Sequence, residues 1–249
     1  MCERVSFASI GTLRLDRQHA RIQREFILDG GLAELFDMNH EAVSLLPTLA
    51  VITWHGHHRG VNVDLDTMCA LSGVSRRRLV NGLGVLQYLG FLVVRDVRST
   101  VAHIEWGSFR EPQLIDWVYF PGRIIGSGVW SELTPVEHSV LLALAGVLRW
   151  HRIDPSEDGG ATDWNVLDWL YDHQIDTGGI RWDIDHAELV PRAAQVPMTR
   201  IAELAGVGLS SASRAIRTLG EAADGGLLSV QAAAIGGNWY HLPSLIWDR

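Results

Sequence analysis

One pattern occurs twice in this chain, and any fold it adopts has to accommodate both copies. Leu71-Ser-Gly-Val74 aligns with Leu204-Ala-Gly-Val207, and at the same offset Leu79, Gly82, Leu83 and Leu86 align with Ala212, Ala215, Ile216 and Leu219. A glycine-led apolar stretch follows each: Gly90-Phe-Leu-Val93 and, after a small insertion, Gly226-Leu-Leu-Ser229. Upstream, at a different offset, Glu41, Leu45, Leu46, Trp54 and His55 recur as Glu137, Leu141, Leu142, Trp150 and His151. Segments that repeat in the same order read as a tandem duplication. Pro47 breaks the match, because its counterpart is Ala143 and a proline inside a helix should kink or shorten it. With 249 residues, 47% of them hydrophobic, the chain has material for two small cores.

Each copy reads as helix, tight turn, helix, hairpin. In the first, Leu65 to Leu71 forms a helix with Asp64 as its N-cap. Gly73 sits where a left-handed turn residue is wanted, and Ser75 is placed to cap the next helix. Leu79, Leu83 and Leu86 fall on one stripe of that helix, so Arg77, Asn81 and Gly84 fall opposite, flanked by Arg76 and Arg78. Phe91 to Val97 and Val101 to Trp106 are rich in β-formers and are joined by Arg98-Ser99-Thr100. In the second copy the stripe Ala212, Ala215, Ile216 and Leu219 leaves Ser210, Arg214 and Arg217 outward, with Ser211 beside them. The second hairpin, Leu227 to Leu242, turns at Gly236-Gly237-Asn238.

This order of elements resembles the winged helix-turn-helix domain, whose second helix enters the DNA major groove. Phe120-Pro-Gly-Arg-Ile-Ile125, followed by Leu133-Thr-Pro135, is similar to the opening of the winged-helix domains of plasmid and phage replication initiators. Thr134, Pro135 and Glu137 also make a good helix start by themselves. The expected class is mostly α with small β-hairpin wings (α+β), two winged helix-turn-helix domains in tandem. The expected boundaries are an N-terminal arm at 1–30, a first domain at 31–106, a packed connector at 107–122 and a second domain at 123–249 with an acidic insert at 152–190.

The resemblance implies contacts to double-stranded DNA by Ser75, Arg76, Arg77, Arg78, Asn81, Gly84, Arg95, Arg98, Ser210, Ser211, Arg214 and Arg217. The chemistry of these side chains is suitable. Arg can donate two hydrogen bonds to guanine, Asn pairs with adenine, and Ser bonds phosphates or bases. Arg95 and Arg98 place cations on the first wing, where phosphate contact is expected. All 21 basic residues are arginine, so every cationic contact is a planar guanidinium.

A net charge of −8 opposes nucleic-acid binding until it is located. Residues 152–190 hold ten carboxylates against Arg152 and Arg181, a local −8, so the rest of the chain is neutral. Between 65 and 110 six arginines face three acids. The insert, with Trp164, Trp169, Tyr171 and Trp182, reads as an acidic surface excursion and a docking place for a protein partner.

Other segments carry less chemistry. Residues 1–30 alternate opposite charges around a strand-like Arg4–Ile10 and a helix from Asp16 to Phe26, and read as a solvated lead-in that Gly30-Gly31 terminates. Leu114 to Phe120 is too apolar for a flexible linker and should pack as a strand or short helix. The histidines of Trp54-His-Gly-His-His58 lack a fourth ligand at a metal spacing, and Cys2 and Cys69 are isolated thiols. Gly206-Val-Gly208 begins like a dinucleotide fingerprint but lacks its third glycine and follows a helix. No catalytic motif, cofactor or metal site is called for, and no apolar run reaches membrane-spanning length. The expectation is a non-enzymatic, cytoplasmic, sequence-specific DNA-binding protein, a replication initiator of a plasmid- or phage-like element. The alternatives are a transcriptional regulator of the same fold and an acidic tandem winged-helix interaction scaffold of the chromosome-condensation accessory type.

Overall fold

The computed structural model describes residues 19–52, 61–97, 100–106, 117–147, 150–153, 188–191, 194–221, 227–232 and 237–242. Among them, helices and short antiparallel strands form an α+β arrangement centred on two helices, α3 (His40–Ile52) and α8 (Pro135–Val147). Every residue from Ala42 to Val51 in α3, and from His138 to Gly146 in α8, is buried. A helix apolar all round must be covered on every side. Each therefore packs on the other and on the helices that follow it, and the buried side chains form one continuous cluster instead of the two small cores expected.

Two sets of elements repeat around this pair. Ahead of α3 stand β1 (His19–Gln23), α1 (Arg24–Leu28) and α2 (Gly31–Met38). Ahead of α8 stand β5 (Trp117–Pro121), α6 (Gly122–Gly126) and α7 (Val129–Glu132). Gly30, at φ +90°, precedes α2, and Gly128, at φ +89°, precedes α7. Behind α3 come β2 (Val61–Asp64), α4 (Leu65–Ser72), α5 (Arg76–Tyr88), β3 (Leu92–Val97) and β4 (Val101–Trp106). Behind α8, and beyond a two-stranded ribbon of β6 (Trp150–Ile153) and β7 (Glu188–Pro191), come β8 (Ala194–Val196), α9 (Met198–Ala205), α10 (Leu209–Glu221), β9 (Ser229–Gln231) and β10 (Asn238–His241). The two three-stranded sheets have the same order, β2-β4-β3 and β8-β10-β9, both antiparallel.

Local chemistry sets the element ends where the sequence indicated. Asp64 Oδ1 accepts from the Thr67 amide at 2.7 Å and starts α4, and Gly73, at φ +71°, ends it. Gly206 does the same for α9 at φ +67°. Thr134 and Glu137 form a reciprocal capping box at the start of α8. The Thr134 amide donates to Glu137 Oε2 at 2.6 Å and the Glu137 amide to Thr134 Oγ1 at 3.4 Å.

Three expectations need correction. The helix expected from Asp16 to Phe26 is, over its described part, the strand β1 followed by α1. β1 finds a partner in β5, and strand pairing overrides a weak local helical preference. Nor are residues 19–30 part of a solvated lead-in, because Ile22, Arg24 and Ile27 are buried; the strand expected at Arg4–Ile10 lies outside the described residues. Arg24 Nη1 donates at 2.9 Å to the carbonyl of Gly146 in the last turn of α8, where a cation complements the helix dipole. Pro47, expected to shorten or kink its helix, lies inside α3, which runs on for five residues. It has no N–H to offer the Val43 carbonyl. The next carbonyl, that of Ser44, accepts from Trp130 Nε1 at 3.0 Å and from Thr48 Oγ1 at 3.1 Å.

The α3–α8 junction is polar at one point. The His138 ring stacks on Trp130 with centroids 3.8 Å apart, its Nε2 lies 2.7 Å from the Trp130 carbonyl, and its Nδ1 lies 2.6 Å from Ser44 Oγ. A carbonyl can only accept, so Nε2 carries the proton and Nδ1 accepts from the serine hydroxyl. Burial holds the imidazole neutral, with its pKa lowered to about 4 against the Trp130 hydrogen bond that raises it.

Candidate nucleic-acid interface

Helix α5 buries Leu79, Gly82, Leu83 and Leu86, and Gly82 lies so close to α3 that a Cβ there would stand 2.7 Å from Leu45 Cδ1. That packing turns Arg77, Asn81 and Gly84 outward, all exposed. Helix α10 buries Ala212, Ala215, Ile216 and Leu219 and turns Ser210, Arg214 and Arg217 outward in the same way. Both helices follow a left-handed glycine turn and precede the edge strand of a three-stranded sheet, β3 or β9. The sequence thus placed these six residues on two equivalent faces, with Ser211 half-buried at the margin of the second.

The remaining arginines differ from the outward set in being tied down. Arg76 is half-buried and donates to Asp66 of α4 at 2.7 Å, so it braces the turn between the two helices. Arg78 reaches Glu41 at the start of α3, at 3.2 Å. Arg95 sits at a bulge in the β3–β4 pairing and donates from Nε to Glu105 Oε2 at 2.7 Å. A bulge re-aims the side chain it carries, here along the sheet onto the neighbouring strand. By contrast, Arg77, Arg214 and Arg217 have no ion pair among the described residues. Ser75 takes the N-cap position of α5, but its hydroxyl makes no capping bond, contrary to expectation, and the side chain is exposed. Arg98, residues 54–58 and the acidic part of the insert lie outside the described residues.

Two things were not read from the sequence. The outward stripe of α5 continues one more turn to Tyr88, 80% exposed, and that of α10 to Glu221. Extending the four-then-three spacing by one step would have found both. Ser213 and Thr218 are also exposed beside Arg214 and Arg217. Their counterparts in the first copy, Val80 and Val85, are apolar, so matching the two copies does not single them out. Among the described residues no group of His, Cys, Asp and Glu is arranged to hold a metal ion, and no helix is long and apolar enough to cross a membrane. Comparison with protein-family models, with curated proteins and with solved structures found no match to this chain.

Proposed function

We propose that this chain binds double-stranded DNA sequence-specifically through two winged helix-turn-helix units, with α5 and α10 as the helices that enter the major groove. The wings are the β3–β4 and β9–β10 hairpins. The observation that carries the reading is the repetition itself: two equivalent helices, each buried along one stripe, turn the same three positions outward, and five of those six positions carry hydrogen-bonding side chains, the exception being Gly84. Arg77, Asn81, Arg214 and Arg217 have the donor and acceptor patterns that base edges require. Ser75 and Ser210, near the helix starts, suit phosphate oxygens. Of the roles that share this chemistry, replication initiation on a plasmid- or phage-like element fits the opening of the second unit, and transcriptional regulation would use the same contacts.

The internal ion pairs of Arg76, Arg78 and Arg95 favour a second reading, a scaffold whose helix-turn-helix faces meet protein. A binding titration over a salt series separates the two. Phosphate contacts make affinity fall steeply and log-linearly with salt, whereas a scaffold has little duplex affinity to lose. Replacing Arg77 or Arg214 by alanine should weaken binding to a selected duplex by about 1–3 kcal/mol each. Unchanged affinity in both variants would sink the assignment.

A further inference from the structure

The two halves touch one another reciprocally. A Cβ on Gly73, in the first helix-turn-helix turn, would stand close against the Ser131 carbonyl oxygen in α7. A Cβ on Gly206, in the second turn, would stand 2.8 Å from Ala33 Cα in α2. Gly73 and Gly206 are equivalent positions, and so are Ser131 and Ala33, each three residues beyond a left-handed glycine. When one copy's turn meets the other copy's lead-in helix, and the converse contact is also made, the operation relating them is a two-fold rotation, as in an isologous dimer.

The pairing of β1 with β5 has the same symmetry. These equivalent strands run antiparallel, from His19 opposite Pro121 to Gln23 opposite Trp117, with Arg21 opposite Tyr119 at the centre. The step of 98 residues that separates Gly30 from Gly128 also separates Arg21 from Tyr119, so the approximate axis passes through this central pair. A head-to-tail repeat related by translation would have left equivalent strands parallel.

From this we infer that the DNA target consists of two non-identical half-sites in inverted orientation, and not a direct repeat; the inference rests on the DNA-binding reading given above. A two-fold in the protein matches a local dyad of the duplex, so helices related by it read their half-sites with opposite polarity. The half-sites differ because the outward side chains differ. The first presents Arg77, Asn81 and Gly84, which calls for guanine followed by adenine; the second presents Ser210, Arg214 and Arg217, which moves guanine recognition further along the helix. One chain thus supplies an asymmetric version of the palindrome reader that other helix-turn-helix proteins build from two subunits.

The test is selection from a randomised duplex library with the full-length chain, followed by affinity measurement on the selected duplex and on one in which a single half-site is reversed in place. Inverted half-sites should be enriched, and reversal should weaken binding at least about tenfold. Selection with Arg77→Ala should erase the preference in one half-site only, and Arg214→Ala in the other. A selected direct repeat, a lone half-site, or tolerance of reversal would overturn the inverted arrangement while salt-sensitive DNA binding stood. Failure to retain any duplex at low salt would remove the DNA reading and this inference together.

Discussion

The two outward helices share a backbone plan but not an electrostatic state. Around α5, Arg76 and Arg78 are held by Asp66 and Glu41, and Arg95 on the following hairpin by Glu105. Around α10, Arg214 and Arg217 have no such carboxylate among the described residues. Exposed ion pairs of this kind contribute only about 0–1 kcal/mol each, so a phosphate can displace the carboxylate at modest cost. On the DNA-binding reading proposed above, the two halves would meet a duplex differently: Arg76, Arg78 and Arg95 of the first would exchange a carboxylate for a phosphate, whereas Arg214 and Arg217 of the second would have no such carboxylate to give up. The two halves thus share a scaffold and differ in surface charge.

The largest effect that probes this comparison lies in the shared scaffold. Gly73→Ala forces a Cβ into the left-handed region and against the Ser131 carbonyl, and should cost about 3 kcal/mol or more of unfolding free energy. Gly206→Ala, with the equivalent contact to Ala33, should cost a similar amount. Urea denaturation of the two variants checks this; a large loss at one position and none at the other would break the equivalence of the halves.

His138 comes next, because only the second half carries it at the junction. Its pKa is lowered from 6.5 to about 4 in the fold, so the unfolded chain binds the proton first as pH falls. Its contribution is fully present above pH 6.5 and is lost progressively toward pH 4, about 3 kcal/mol in all. Stability measured against pH should show this decline in the natural chain and a shallower one in His138→Gln. Equal slopes would mean that the imidazole is not held neutral at the junction.

The smallest effect sharpens the electrostatic contrast. Glu41→Gln frees Arg78 and removes a negative charge beside the α5 face, and should raise DNA affinity by less than about 1 kcal/mol. Neutralising Glu203, which pairs with Arg200 on α9, should leave affinity unchanged. Reduced affinity in Glu41→Gln would mean that the pair positions Arg78 for the duplex instead of withholding it.

Much of this was legible in the sequence, and the part that was not has a common cause. The stripes Leu79–Leu83–Leu86 and Ala212–Ala215–Ile216–Leu219 are periodic and local, so the buried and outward faces of α5 and α10 followed directly. Asp64, Gly73, Thr134 and Glu137 act within one turn of chain, and their roles were equally readable. β2 and β8 were missed because strands of four and three residues carry almost no periodic signal; their partners β4 and β10 lie about forty residues away in sequence. The local sequence of β1 suggests a helix because what makes it a strand is β5, nearly a hundred residues downstream. The ion pairs of Arg78 with Glu41 and of Arg95 with Glu105 likewise depend on which elements become neighbours, which composition does not encode.

The Ser44 carbonyl beside Pro47 bears on how such a molecule is made. Its indole donor, Trp130, belongs to the half that leaves the ribosome later, as do the His138 ring that meets the Ser44 hydroxyl and the strand that pairs with β1. Until α8 has left the ribosome, the earlier half consequently lacks the cover for one face of α3, and β1 lacks its partner until β5 has emerged. A nascent chain stalled between the copies would leave that apolar face open to chaperones and proteases, and a core shared in this way is expected to consolidate as one unit, not as two beads on a string.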